Sequence, residues 1–368
     1  MNKKCIRIYS DRDGLPDNIP HVPLLFPFWG IPDEKAMPLD YRIVNCAKSA
    51  FDHFLKEGKE WFKISPLSEA DWAVLPIEWS RALPEADLKQ WAMKFMDKAI
   101  KAGKKILVFW SHNSDDPFPI KEAIVFKSSI PRPHCNPNEY PYSFFSKDFV
   151  ADYMDGVFKA RPYSPKPTVG FCGLVRDYPK TFPYRFKYFL KKRGVFLNQT
   201  NGHFLRLISL NIFRGNPNIN TNFKIYHDFY AGVFNDMDSI DLGYAKKIQD
   251  EYAENLINSD YVLCTRGVRN FSYRLFEILS CGRIPIFVDT GQLFPYEEFI
   301  EYEKLFVRIN WKDIPRIGDL LLKFHRSLTP AEYVKRQEQC RRVWEEWLSP
   351  YGFFANFYRI FEKIRVGS

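Results

Sequence analysis

YVLCTRGVRNFSYRLFEILSCGRIPIFVDT, residues 261–290, decides the fold of this chain. The apolar run YVLCT (261–265) breaks at a loop holding Arg266, Gly267, Arg269 and Asn270. Leu275, Ile278 and Leu279 then recur at helical spacing, Gly282 stops the helix, and RIPIFV (283–288) is a second apolar run. Short apolar runs bounded by turn residues read as buried strands, and strand, helix, strand implies parallel pairing through a helical crossover. In open sheets of this kind ligands sit beyond the carboxyl ends of the strands. A helix starting near Ser272, a good capping residue, would aim its free N–H groups and positive dipole end at that place. Such geometry suits a phosphate or diphosphate, and Arg266 and Arg274 can each set a guanidinium fork on its oxygens. Glu277 lies off the buried stripe, where a carboxylate can accept hydrogen bonds from the adjacent hydroxyls of a ribose. Spacing alone allows a plainer reading, in which Arg274 and Glu277 form a helix ion pair worth at most about 0.5 kcal/mol.

The same alternation extends both ways. Upstream, CIRIYS (5–10), DWAVLPIEW (71–79), KILVFWS (105–111) and EAIVFKSS (122–129) read as strands, with helices at 45–58 and 84–105, the latter stopped by Gly103. Closer to the opening segment, PTVGFCG (167–173) and FKIYHDFY (223–230) read as strands, and 182–194 and 245–259 as helices. The proline-rich stretches PRPHCNPNEYPYS (131–143) and RPYSPKPT (161–168) hold the chain extended and suit a connection, placing a boundary near residue 160. From Pro330 to about Ile364 the tail is helical. These elements make two α/β units closed by a carboxyl-terminal helix.

At 368 residues the length suits two domains, and 46% apolar with 17% aromatic residues excludes a disordered or low-complexity chain. The longest apolar runs, such as ILVFW (106–110), are far too short to span a bilayer. The start, MNKKCIRIYSDRDG, carries charges where a secretory leader needs an apolar stretch. Seven scattered cysteines without a C-x-x-C pair suggest neither a disulfide scaffold nor a zinc site. A cytoplasmic chain is expected. Charge is uneven: residues 1–160 hold 22 Lys and Arg against 22 Asp and Glu, so the whole net charge of +9 falls in residues 161–368. The second half should prefer an anion.

Residues 261–290 resemble the carboxyl-terminal signature of the exostosin-like, or GT47-like, glycosyltransferases. In that signature a strand ending C-x-R-G leads to S-x-R-L/F-x-E, a helix, then G-x-I-P-V/I. Cys264, Arg266, Gly267, Ser272, Arg274, Leu275, Phe276, Glu277, Gly282, Ile284, Pro285 and Ile286 stand at that spacing. Weaker similarity covers EADWAVLPIEW (69–79), ILVFWSHNSDD (106–116), TVGFCG (168–173) and LFVRINWKDIPRIGDLL (305–321). The resemblance implies a GT-B fold, with two facing Rossmann-like domains. Residues 1–160 would form the acceptor side, 161–329 would bind a nucleotide sugar, and a helix in 330–368 would cross back onto the first domain. It further implies that Gly173 and Arg176 lie near the donor diphosphate, that Arg266 and Arg274 contact it, and that Glu277 takes the ribose. Gly267, Asn270, Phe271 and Ser272 complete that donor-binding loop. No metal or other cofactor is expected, since basic side chains and a helix terminus neutralise the leaving diphosphate.

Many retaining GT-B enzymes carry an acidic residue eight positions before the ribose glutamate, whereas this chain has Arg269. Inversion is therefore expected, which needs one general base to take the proton of the acceptor hydroxyl. Asp115 and Asp116, with His112 beside them, follow a strand at its carboxyl end, and Glu78 ends the neighbouring one. The plainer alternatives are a turn before Pro117 and an ion pair between Glu78 and Arg81. Trp79 and Trp110 are the candidate platforms for an acceptor sugar, although most of the 63 aromatics must be core. The expected function is inverting transfer of a sugar from a UDP- or GDP-linked donor to a hydroxyl of a glycan or glycosylated acceptor. A non-catalytic glycan- or nucleotide-binding protein and a nucleotide-sugar epimerase are the other readings. No nucleic-acid-binding signature accompanies the charge, which is compatible with adsorption to an anionic membrane surface.

Overall fold

The computed structural model describes residues 5–33, 48–111, 116–134, 136–175, 189–190, 198–235 and 240–366. His112, Asp115, Arg176 and nearly all of the helix expected at 182–194 lie outside the described residues. The chain divides into two compact units. One is Met1–Ser146 with Leu293–Tyr296 and Glu345–Ser368; the other is Lys147–Gln292 with Glu297–Trp344.

In the first unit β1 (Ile6–Tyr9), β2 (Phe62–Ile64), β3 (Trp72–Val74), β4 (Ile106–Trp110), β5 (Ala123–Lys127) and β6 (Glu139–Pro141) form one parallel sheet, ordered β2-β1-β3-β4-β5-β6. Helix α1 (Asp52–Trp61) leads into β2, and α2 (Ala86–Lys101) joins β3 to β4. Alternate strand residues take opposite faces. Val108 and Trp110 share a core with Leu88, Ala92, Phe95, Met96 and Ala99 of α2. Phe109 belongs to the other layer, which is completed from the far end of the chain. There Phe354 stacks on Phe54 with ring centroids 4.5 Å apart, Phe361 on Trp72 at 4.6 Å, and Phe357 lies 4.8 Å from Phe126.

Two expectations change here. The proline-rich stretch at 131–143 is no linker: it supplies β6, an edge strand, where a missing N–H costs no ladder bond. It is pinned by the buried Lys127–Glu139 ion pair at 3.2 Å. The units also part at Ser146 and Lys147, ahead of residue 160, because the next residues are tied into the second unit. Arg341 grips Asp148 through both carboxylate oxygens at 2.7 and 2.8 Å, and Ser280 Oγ donates to the Lys147 carbonyl at 2.8 Å.

The second unit holds β7 (Thr168–Leu174), β8 (Asn220–Tyr226), β9 (Tyr261–Cys264), β10 (Ile284–Asp289) and β11 (Val307–Asn310), all parallel and ordered β11-β10-β9-β7-β8. Its helices are α3 (Phe149–Tyr153), α4 (Gly202–Arg214), α5 (Leu242–Ile257), α6 (Arg274–Ser280), α7 (Ile317–Arg326) and α8 (Pro330–Val343). Sequence reading missed α4, whose apolar residues run nearly all round it. The Asn201 side chain caps it by accepting from the Phe204 amide at 3.0 Å, and Phe204, Leu205, Ile208 and Phe213 join the core of Val169, Phe171, Leu263 and Ile286. The tail is not one crossing helix. The first part, α8, opens with a capping box of Thr329 and Glu332 and stays in the second unit; the chain enters the first unit at Glu345. Among the described residues no helix is long and apolar enough to cross a membrane.

Candidate functional site

Strand order places the site. In the second sheet β7 is flanked by β8 on one side and β9 on the other, so the direction in which successive strands are added reverses between β7 and β9. In doubly wound sheets the crevice for a ligand opens at that switch point, beyond the carboxyl ends of the strands. Here those ends are Gly173 and Leu174 of β7, and Thr265 to Gly267 following β9.

Two guanidinium groups meet at the end of β7. Arg274 donates to the Cys172 carbonyl at 2.7 Å and lies over the Phe171 ring, 4.5 Å from its centroid. Arg206, from α4, donates to the Leu174 carbonyl at 2.5 Å and lies over the same ring at 5.4 Å. Between their two anchoring carbonyls sits Gly173, at φ +146°, where an added Cβ would fall 2.9 Å from Arg274 Nη2. Among the described residues neither arginine has a carboxylate within ion-pair distance, and Arg274 Nε is buried without a hydrogen-bond partner. Burial, and after it the Arg274 charge, push the Arg206 guanidinium down to about 9, still charged at neutral pH. Two clustered cations, neither held in an ion pair, can take an anion. Sequence reading missed Arg206 along with its helix; the signal was an Asn-Gly cap followed by a cation inside an apolar helical run.

Glu277 stands beside this pair and makes no ion pair with Arg274. Its Oε2 accepts from the Tyr252 hydroxyl of α5, and burial pushes the carboxyl above its usual range. The remaining loop residues bond mainly to neighbouring backbone and side chains. Arg266, 8% exposed, donates to the Gln199 and Val268 carbonyls at 3.4 Å each. Asn270 bonds Thr290 in both directions, through its amide to the carbonyl at 3.2 Å and through its oxygen to the hydroxyl at 2.5 Å. Gly267 donates its amide to the Phe271 carbonyl at 2.9 Å, and Phe271 is buried against Tyr273 and Phe276. Ser272 is not the cap of α6: the helix begins at Arg274 with Tyr273 at the cap position, and Ser272 neighbours the Cys264 thiol, which burial raises to about 11. The amides of Leu275, Phe276 and Glu277 are already taken by the carbonyls of Ser272 and Tyr273. An anion at this place would meet the two guanidinium groups more than those three amides.

In the first unit, Glu78 Oε2 accepts from the Ser111 amide at 2.9 Å, joining the segments that follow β3 and β4, and burial pushes its carboxyl up. Asp116 is exposed, with its carbonyl taken by Lys127 Nζ at 2.8 Å. Trp79 and Trp110 are 1% and 2% exposed and pack edge-on to Phe118, so neither presents a face to a sugar. Trp110 ends β4 whereas Trp79 opens a short helix, Trp79–Ala82, and both rings lie in the core beneath α2. Among the described residues no cluster of His, Cys, Asp or Glu is placed to ligate a metal.

Residues 209–324 match the model of the exostosin GT47 domain. Over that stretch the chain is similar to the exostosin-like glycosyltransferases. A probable glycosyltransferase of Arabidopsis thaliana is 26% identical over 117 residues, 31% of this chain and 22% of that protein. The exostosin-1 homolog of Caenorhabditis elegans is 30% identical over 98 residues, 27% of this chain and 25% of its own. This exostosin-like chain thus spans a quarter or less of those two relatives. The solved structure of TarM covers 73% of it and 53% of TarM at 13% identity, with a TM-score of 0.38. The exostosin GT47 match takes in β9, α6 and β10, and with them Arg274, Glu277 and Tyr252; Gly173 and Arg206 precede it.

Proposed function

We propose that this protein is a GT-B glycosyltransferase that inverts configuration without a bound metal. It moves a sugar from a UDP- or GDP-linked donor to a hydroxyl of a glycan or glycosylated acceptor. The observation that carries this reading is the pair Arg206 and Arg274 at the switch point of the second sheet, with Glu277 beside it. As the bond between the anomeric carbon and the phosphate oxygen breaks, its electrons pass to the diphosphate, and two fixed cations lower the energy of that charge. Glu277 takes the ribose hydroxyls. The acceptor oxygen attacks from the opposite side of the anomeric carbon, and its proton passes to a carboxylate. Glu78 fits that role best among the described candidates: a carboxyl raised by burial is a stronger base than an exposed one, and its orientation is set by Ser111.

Thermal melting with UDP, GDP and their sugars tests the donor. Stabilisation by at least one of them is expected, and none from any would sink the reading. Glu78→Gln should keep that stabilisation while lowering turnover by about 100-fold or more. Wild-type turnover in that variant would remove Glu78 from the mechanism. Gly173→Ala should weaken nucleotide binding by roughly tenfold with an unchanged circular dichroism spectrum, because the new methyl displaces Arg274. A dissociation constant equal to wild type would show that Arg274 does not need that space.

A further inference from the structure

Glu277 lies half-buried on a short helix, yet what sets its carboxylate comes from a different element. The Tyr252 hydroxyl of α5 donates to Oε2, while among the described residues Oε1 accepts no hydrogen bond. The Tyr252 ring does separate work: Arg274 lies over it, 5.8 Å from its centroid. Hydroxyl and ring thus address the two groups expected to meet the ribose and the diphosphate.

Resting on the ribose role of Glu277, we propose that Tyr252 is a positioning residue of a ribose-reading pair. Its hydroxyl fixes one oxygen of Glu277 so that the other meets the sugar's adjacent hydroxyls, and the site distinguishes ribose from 2′-deoxyribose. A carboxylate accepts from both hydroxyls, whereas a protonated carboxyl offers one donor and a weaker acceptor. Recognition therefore needs the ionised form, and burial works against it. The groups that face Glu277 are Tyr252 from α5, Arg274 on its own helix and Lys147 ahead of α3, with the Cys264 and Cys281 thiols nearby. The Tyr252 hydrogen bond, Arg274 and Lys147 all favour the ionised form, in that order. Lys147 is the weakest of them and is itself held by Gln249 Oε1 at 2.9 Å. Removing the Tyr252 hydroxyl takes away the largest of these supports, so Glu277 protonates at higher pH. Nucleotide binding is lost as pH falls through that value, and its acid limb should move upward.

The test uses Tyr252→Phe, which keeps the ring over Arg274, and Glu277→Gln, titrated with UDP and 2′-deoxy-UDP, or with the GDP pair if the guanine nucleotide binds. Wild type is expected to prefer the ribonucleotide by about tenfold, one lost hydrogen bond to a charged group. Both variants should cut that preference to about threefold or less, and Tyr252→Phe should raise the acid limb of binding by about one pH unit. If Glu277→Gln loses the preference but Tyr252→Phe keeps it, with an unmoved acid limb, the positioning role is wrong and the ribose role stands. If Glu277→Gln keeps the preference, the ribose role fails and the proposal with it. Carbon-13 resonances of labelled glutamate give a readout independent of nucleotide: Glu277 should titrate about one pH unit higher in Tyr252→Phe, and an unchanged midpoint overturns the proposal. Should Tyr252→Phe fail to fold, 3-fluorotyrosine at 252, a stronger donor, should move the same midpoint downward; no movement overturns it.

Discussion

Arg274→Ala is expected to remove nucleotide-dependent stabilisation and to weaken UDP or GDP binding at least about 100-fold, roughly 3 kcal/mol. The size follows from how the guanidinium is held. It is clamped before any ligand arrives, by the Cys172 carbonyl at 2.7 Å and the Phe171 ring at 4.5 Å, so no side-chain freedom is lost on binding. Its Nε has no hydrogen-bond partner, and Arg206, anchored to the Leu174 carbonyl, cannot replace a second fork. Turnover should fall further than affinity, by about 100- to 1,000-fold, because charge on the diphosphate grows in the transition state. Arg274→Lys should recover part of the binding and little of the turnover, since a point charge lacks the planar fork. Isothermal titration and donor turnover measure both, and wild-type affinity in Arg274→Ala would dismantle the site.

Gly202→Ala should cost about 3 kcal/mol and lower the melting transition of the second unit by about 6 to 12 °C. The first turn of α4 approaches the loop after β9 so closely that a Cβ would fall 2.3 Å from the Arg266 carbonyl oxygen and 2.7 Å from that of Gly267. Both are backbone atoms of a loop tied to its surroundings by Asn270 and Thr290, so relief must come from moving the helix. That movement carries Arg206 away from Arg274, and nucleotide binding should weaken along with stability. Gly215→Ala, at the far end of the same helix with its nearest contact at 3.4 Å, is the control expected to stay within about 0.5 kcal/mol. Equal melting of the two variants would show that the contact yields freely.

The parts legible in the sequence were those whose physics is local. Short apolar runs bounded by turn or polar residues located β4, β5, β7, β9 and β10, because a strand buried on both faces needs continuous apolar residues. Arg274 and Glu277 were singled out by resemblance to the exostosin-like signature; their spacing alone suggested an ion pair, whereas their side chains bond the Cys172 carbonyl and the Tyr252 hydroxyl. Their partners were not: Arg206 and Tyr252 reach them from α4 and α5, through strand order alone. Prolines misled at 131–143, where an edge strand tolerates them as readily as a linker does. Trp79 and Trp110 misled because a ring at or beyond the end of a strand can turn into the core or toward solvent, and only Phe118 and α2 decide which. Ser272 had the chemistry of a cap, but the helix starts one residue too late for it, with Tyr273 at the cap position.

The phenylalanines that close the first sheet have a consequence for how the molecule comes to be made. Phe354, Phe357 and Phe361 leave the ribosome after the entire second unit, although Phe54, Trp72 and Phe126, which they cover, emerge near the beginning. At about 5 to 20 residues per second, the stretch from Ser146 to Phe361 takes roughly 10 to 40 s to synthesise. For that time the earlier unit carries an open aromatic face and waits, while the later one has every strand it needs. Vectorial synthesis thus reverses the usual order, and the amino-terminal unit becomes the last to finish and the natural client of a chaperone.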